Sequence, residues 1–152
     1  MIVTTQQDAL GIPEEEWDAR VASCKALVER HATVGRQTVL TYSEVNLHVA
    51  ADTDLAPFDF TTDLGRAQLG QMLGLVSAAS QEERGVMLTA IVGYLDPLVG
   101  QLGGGFFDMA VKLHRLPAHP SLAQREAFWM AEVQRVFEVY GADRRRQRGQ
   151  KA

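Results

Sequence analysis

The chain has 152 residues, of which 46% are hydrophobic and 22% charged, and its formal net charge is −4. These values are typical of one globular domain that buries its own core, and they argue against two independent domains. The single cysteine, Cys24, excludes an internal disulfide, and the N-terminal sequence has the pattern of neither a secretory signal nor a membrane span. We therefore expect a cytoplasmic protein without a membrane anchor.

The charge is distributed unevenly along the chain. From Gly141 onward the net charge is +4, which leaves −8 on residues 1–140. An acidic body repels a phosphate backbone, whereas a basic end attracts nucleic acid or an acidic partner. Because a terminal run of charge is usually solvated, we predict an N-terminal arm over 1–12, one domain over 13–141 and a disordered tail over 142–152. The basic residues of this tail are Arg144, Arg145, Arg146, Arg148 and Lys151.

The first predicted helix covers about residues 13–31. Pro13 suits the first helical position, and the three glutamates after it lie where the helix dipole favours negative charge. Apolar residues then recur at helical spacing up to His31 and form one buried stripe. Cys24 lies in that stripe, and so we interpret it as a small core residue and not as a nucleophile.

A short strand and a short second helix are predicted next. Residues 37–40 are long enough only for a small strand. Thr41 and Glu44 have the spacing of a capping box, in which each side chain accepts the amide N–H of the other residue, and so a helix should begin there and reach about Ala51. The acidic loop "ADTDLAPFDFTTD" lacks the spacing of a calcium loop, and we expect its phenylalanines to pin it to the core.

The third predicted helix begins after a cap at Thr62 or Asp63 and ends at Gly85. Gly70 and Gly74 lie inside it, where each glycine costs about 1 kcal/mol relative to alanine. Two explanations stay open: either another backbone approaches closely there, or the glycines are merely tolerated. The apolar face of this helix consists of Leu69, Met72, Leu73 and Val76.

The rest of the chain is predicted to form one strand and two helices. The segment "VMLTAIVGYL", residues 86–95, is apolar on both alternating faces, which predicts a central strand. A glycine-rich connection leads to a fourth helix that ends near Leu116. A fifth helix is capped by Ser121 and ends at Gly141. Its apolar stripe consists of Trp129, Val133, Val136, Phe137 and Tyr140.

No motif in the chain indicates a reaction, a cofactor or a metal. The triple glycine of Gly103, Gly104 and Gly105 precedes a helix, but it lacks the lysine of a P-loop and the spacing of a dinucleotide loop, and Asp108 would oppose an anion. We interpret it as a hinge or tight turn. The histidines have no acid at the spacing of a helical metal site, and no serine or acid lies in a catalytic motif. They are His31, His48, His114 and His119.

The order helix, strand, helix, helix, strand is that of a winged helix, in which the third helix reads DNA and the segment after the strand forms the wing. The segments "TYSEV", "GRAQLGQMLG" and "VMLTAIV", followed by "GQLGGGF", resemble the C-terminal domain of the alkylguanine DNA alkyltransferases and alkyltransferase-like proteins over residues 38–106. Where that family has a Pro-Cys-His-Arg segment, this chain reads "VMLTAIV", and so the resemblance implies no alkyl transfer. The part from "TYSEV" to "GGGFFDMAVKLHRL" also resembles a domain of uncharacterised bacterial proteins. We expect an α+β, mostly helical fold, with a winged-helix-like core of about five helices and a small sheet.

These patterns lead to two hypotheses about function. The first is a non-enzymatic bacterial or phage accessory protein that binds a protein partner or a second copy of itself, because the apolar stripe of the fifth helix is long and the body is acidic. The second is a DNA-binding regulator that uses the third helix and the basic tail, although the third helix offers few basic residues for contacts with the phosphates of a duplex. The candidate contacts are Arg66, Gln68, Gln71, Arg84, Arg144, Arg145, Arg146 and Arg148.

Overall fold

The computed structural model describes residues 9–34, 38–93 and 104–151, without the side chains of 144 and 147–151. Within these ranges, after a 3-10 turn at Ala9–Gly11, five helices span Glu14–Val34 (α1), Tyr42–Thr53 (α2), Asp63–Arg84 (α3), Gly104–Lys112 (α4) and Leu122–Lys151 (α5). Two strands, Leu40–Thr41 (β1) and Val92–Gly93 (β2), pair in parallel, with Leu40 opposite Val92. The predicted fold class, mostly helical with about five helices and a small sheet, is confirmed.

Local capping signals set the helix ends where the sequence placed them. At the start of α2, Thr41 Oγ1 accepts the Glu44 N–H and Glu44 Oε1 accepts the Thr41 N–H, both at 3.1 Å, as the predicted capping box requires. Thr62 Oγ1 accepts the Gly65 N–H at the start of α3, and Gly85 ends that helix with a φ of 73°. These predicted boundaries are confirmed.

The central strand predicted over 86–95 is wrong. Leu88–Ile91 form a 3-10 helix, and only Val92–Gly93 pair with another strand, while residues 94–95 lie outside the described residues. Side chains take the amide groups that a strand would have paired: Met87 N–H donates to Glu132 Oε2, Leu88 N–H to Ser80 Oγ and Thr89 N–H to Ser77 Oγ. Because these three donors are already satisfied, this segment gains nothing from sheet pairing. The predicted wing falls mainly on 94–103, outside the described residues.

The fifth predicted helix does not end at Gly141. α5 continues to Lys151, and so the backbone of 142–151 is helical. Gly141 has no positive φ, unlike Gly85, and a glycine ends a helix only when it adopts the left-handed conformation. At the other end of the chain, Ile12 is buried and the Trp17 indole donates to the Ala9 carbonyl, and so residues 9–12 of the predicted arm pack on the domain.

One core joins the helices. α1 packs against α2, α3 and α5, and α3 also packs against α4 and the 3-10 helix. Most of the residues predicted to share this core are buried, and Val21 is partly buried. The apolar stripe of α5 ends in the same core, because Val136, Phe137 and Tyr140 are buried. The buried members of the predicted set are Trp17, Leu40, Val45, Leu69, Leu73, Leu88, Ile91 and Val92.

The loop between α2 and α3 is held by its phenylalanine, as predicted. Phe58 is buried, and its backbone N–H and carbonyl both bond to the Asn46 amide at 3.0 Å. The Arg20 guanidinium lies 4.5 Å from the centre of the Phe58 ring. The close backbone approach in this region is at Gly65, where a Cβ would lie 1.8 Å from the Asp59 carbonyl oxygen. Only glycine fits that position without a shift of the loop.

Candidate functional site

An open cavity of about 530 Å³ lies between the start of α2, one face of α3, β2 and α4. Its volume falls in the range of small-molecule sites, roughly 300–1,000 Å³. The walls are largely apolar, as is usual for such sites. The apolar side chains around the cavity include Leu69, Leu73, Met87, Val92, Phe106 and Met109.

Two glycines of α3 form part of the wall. Gly70 and Gly74 are four residues apart and therefore lie on the same side of the helix. Among the described residues, a Cβ at Gly70 would have no atom within 4 Å, and a Cβ at Gly74 would lie 3.0 Å from Met109 Cε. No backbone in the described ranges therefore approaches either glycine closely. Gly74 leaves room for one methionine side chain.

Two buried hydroxyl groups lie behind the cavity wall. Ser77 Oγ and Thr89 Oγ1 are 2.5 Å apart. Ser77 Oγ also accepts the Thr89 N–H at 3.2 Å, which fixes the 3-10 helix against α3. These hydroxyls bond to each other and hold the wall in place.

One charged residue lies at the rim of the cavity. Arg66 lies there with its side chain about half exposed (52%), donates to the Phe60 carbonyl at 2.6 Å and forms an ion pair with Asp63. Thr41 and Ser43, at the N-terminus of α2, also line the cavity, and the Glu44 carboxylate caps that N-terminus through the Thr41 N–H.

The four residues proposed as contacts on the third helix do not form one surface. Gln68 donates to the Leu10 carbonyl at 2.9 Å, and Gln71 is exposed away from the cavity lining. Arg84 lies at the opposite end of α3 from Arg66, about 27 Å away along the axis at the rise of a helix. α3 packs against α1 and α4 and also has exposed residues, among them Arg66 and Gln71.

Arg84 belongs to a joint between α3 and α5. It donates two hydrogen bonds to the Asp143 carboxylate at 3.0 and 3.2 Å, and its guanidinium lies 4.7 Å from the centre of the Tyr140 ring. These hydrogen bonds lower the pKa of the Asp143 carboxyl group. Arg84 is therefore engaged within the protein.

The basic residues of the predicted tail lie on the last turns of α5. Arg145 and Arg146 are exposed, and Arg146 forms an ion pair with Asp143 three residues earlier. Arg144 and Arg148 lie on the helical backbone, and their side chains are outside the description. The structure thus places these residues together on one helical end, far along the chain from Arg66.

Two other candidates from the sequence, His31 and Cys24, are engaged by a neighbour or buried. His31 Nε2 lies 2.6 Å from the Thr38 carbonyl oxygen, and burial raises the pKa of the Cys24 thiol to about 12. Of the triple glycine, Gly103 is outside the described residues, Gly104 begins α4 and Gly105 lines the cavity. No group of three potential metal ligands occurs among the residues that the structure describes.

Sequence reasoning missed a buried carboxylate. Glu132 is 1% exposed and accepts from the Met87 N–H at 2.6 Å and from Arg115 at 2.6 and 3.0 Å. Arg115 also donates to Gln81 of α3 at 2.5 Å, and the Trp129 indole donates to the Ala90 carbonyl. Glu132 lies in the core stripe of α5, three residues after Trp129, and an acid at core spacing was the signal that could have revealed it.

Comparison with protein-family models, with curated proteins and with solved structures finds no match to this chain. The resemblance to the alkyltransferase-like domains therefore stays a prediction. In the part of the chain that is described, no helix has the length and apolarity needed to cross a membrane.

Proposed function

We propose that this protein is a binding module rather than an enzyme, and that it holds a macromolecular partner at the basic end of α5. The observation that supports the proposal is the length of this helix. Tyr140 is the last residue of α5 that is buried among the described residues, yet the helix continues to Lys151. Over these last turns the net charge is +4, on a body of −8. A helix that leaves the core with this charge is suited to an acidic surface.

The favoured partner is a protein with a local acidic patch, and the acidic body of a second copy is such a surface. A DNA duplex is the alternative, because the same helix end can bind phosphates. The duplex carries about one negative charge per 1.7 Å of its length. The acidic body therefore repels a duplex over a longer surface than it repels a partner with one local acidic patch. Base readout would also need a second element, and the residues predicted as contacts on α3 do not lie together, since Gln68 bonds to Leu10 and Arg84 to Asp143.

Size exclusion with light scattering tests the proposal. The chain is run alone, with polyglutamate as an acidic polypeptide and with a short random-sequence DNA duplex, at roughly 50 and 200 mM salt. We expect a complex with polyglutamate or a dimer, and its loss when residues 144–152 are removed. Arg30→Gln, an exposed arginine on α1, is the matched control and should change nothing. A salt-sensitive complex with the duplex alone would overturn the protein partner in favour of DNA, and a monomer that binds neither probe would overturn both.

A further inference from the structure

We infer that the cavity between α2, α3 and α4 binds a small amphipathic carboxylate, with the apolar part of the ligand inside and the carboxylate at the rim beside Arg66. This site is separate from the basic end of α5 and does not depend on the function proposed for that end. Three features of the described cavity lead to this ligand: its volume and apolar wall, the arginine at its rim, and the glycine that keeps it open.

The volume and wall define the body of the ligand. A cavity of about 530 Å³ holds a molecule of the size that small-molecule sites usually enclose. Leu73, Phe106 and Met109 offer apolar contact on different sides, and the transfer of hydrocarbon from water to such a wall is favourable. Met109, which is only partly buried, can adjust to the outline of a flexible chain. An alkyl or aromatic body matches these surroundings.

The rim defines the charge of the ligand. Arg66 is the one charged residue among those found to line the cavity in the described parts of the chain, and no acid is among them. Among the described residues, Nη1 donates to the Phe60 carbonyl and Nη2 to Asp63, and a guanidinium has five N–H donors. Because Asp63, its ion-pair partner, is fully exposed and lies off the cavity lining, a carboxylate can share or replace that contact at little cost.

Gly70 keeps the wall open. Glycine inside a helix costs about 1 kcal/mol relative to alanine, and here a methyl group would touch no atom of the described residues within 4 Å. Packing against the described residues therefore does not require a glycine at this position. What an added side chain would occupy is the space of the cavity, and this gives the inference a direct test.

The test uses decanoate and decanol, which have the same alkyl chain and differ in charge. Binding to the full chain is measured by calorimetry below the micelle concentration of decanoate. Gly70→Leu fills the cavity, and Gln71→Leu is its matched control, because Gln71 is the exposed neighbour that does not line the cavity. Arg66→Gln removes the rim charge, and Arg30→Gln is its control on another helix.

We expect decanoate to bind the natural chain and both controls, and Gly70→Leu to abolish binding. Arg66→Gln should weaken decanoate about fivefold, the effect of a partly exposed ion pair, and leave decanol unchanged. Gly70→Ala is the second variant: it should weaken binding less than leucine does while the thermal unfolding temperature stays equal or rises, which separates loss of binding from loss of fold. Decanoate that binds Gly70→Leu as well as the natural chain, or that does not bind the natural chain, would overturn the site. Equal loss of decanoate and decanol in Arg66→Gln would overturn the carboxylate class.

Discussion

The polar groups on the two sides of α3 differ in their burial and in their partners. Toward α5, Glu132 is buried and accepts from a backbone amide and from Arg115, and Arg84 is paired with Asp143. Toward α2 and α4, Arg66 stays about half exposed at the rim of an apolar cavity. Satisfied buried groups hold elements in one geometry, whereas groups that remain exposed beside a cavity can exchange partners with a ligand. We call the Glu132–Arg115 and Arg84–Asp143 contacts the closed joint, which stabilises the fold. The side of α3 that faces the cavity is open and can bind a ligand.

The largest expected effect is at Glu132 in the closed joint. Glu132→Ala removes one partner of a buried ion pair, because it leaves the Met87 N–H without an acceptor and Arg115 without its carboxylate, and so it should cost about 3–5 kcal/mol in the free energy of unfolding. Urea denaturation measures this loss. Glu138→Ala, an exposed glutamate on the same helix, should cost less than about 0.5 kcal/mol. If Glu132→Ala lowered the free energy of unfolding as little as Glu138→Ala does, the Glu132 carboxylate would not be buried and paired in solution.

Two leucines compare the closed and open sides directly. Leu88 is fully buried, and Leu88→Ala should cost about 2–5 kcal/mol because it leaves a new cavity in a packed core. Leu73 is 9% exposed and lines the existing cavity, and so Leu73→Ala should lie at or below the low end of that range. Urea denaturation of both variants gives the difference. Equal losses would mean that the space beside Leu73 is filled in solution.

The fold could be predicted where the signal is local. The capping box at Thr41 and Glu44 and the terminating Gly85 lie within the segments that they define, and both appear in the structure. The strand over 86–95 could not be excluded, because the acceptors for its amides are Ser77, Ser80 and Glu132, which are distant in the chain. Apolar composition alone does not show which side chains will take a backbone donor.

The site could be predicted only in fragments. The sequence drew attention to Gly70, Gly74 and Arg66, but it gave no reason to place them around one space. The cavity exists because α2, α3, β2 and α4 meet there, and this meeting depends on tertiary packing. The internal partners of the residues predicted as contacts on α3 were hidden for a related reason: Gln68 and Arg84 bond to residues far away in sequence.

A smaller effect is expected at the cysteine of α1. The Cys24 thiol has its pKa raised by burial from its ordinary 9.0 to about 12. This group favours the folded state fully below pH 9, and the contribution is lost as the pH rises from 9 toward 12, by about 1 kcal/mol at pH 10. Cys24→Ala should show a smaller decrease in the free energy of unfolding between pH 8 and about 10. Fast thiol labelling of the native chain at neutral pH would contradict this burial.

The smallest effects on stability are expected at the Arg84–Asp143 pair and at the end of α5. Removal of residues 144–152 takes away helix beyond the last buried residue, and it should change the free energy of unfolding by less than about 0.5 kcal/mol. Asp143→Asn in the full chain should cost about 0.5–1 kcal/mol, because it breaks the partly exposed pair with Arg84. The pKa of Asp143 is lowered in the folded state, and so its contribution is present above the ordinary 3.8 and lost as the pH falls through the folded value. The difference between Asp143→Asn and the natural chain should therefore be visible in urea denaturation at pH 7 and shrink in acid. If removal of 144–152 cost more than Asp143→Asn, the helix end would be packed on the body, and its basic residues would be unavailable to a partner.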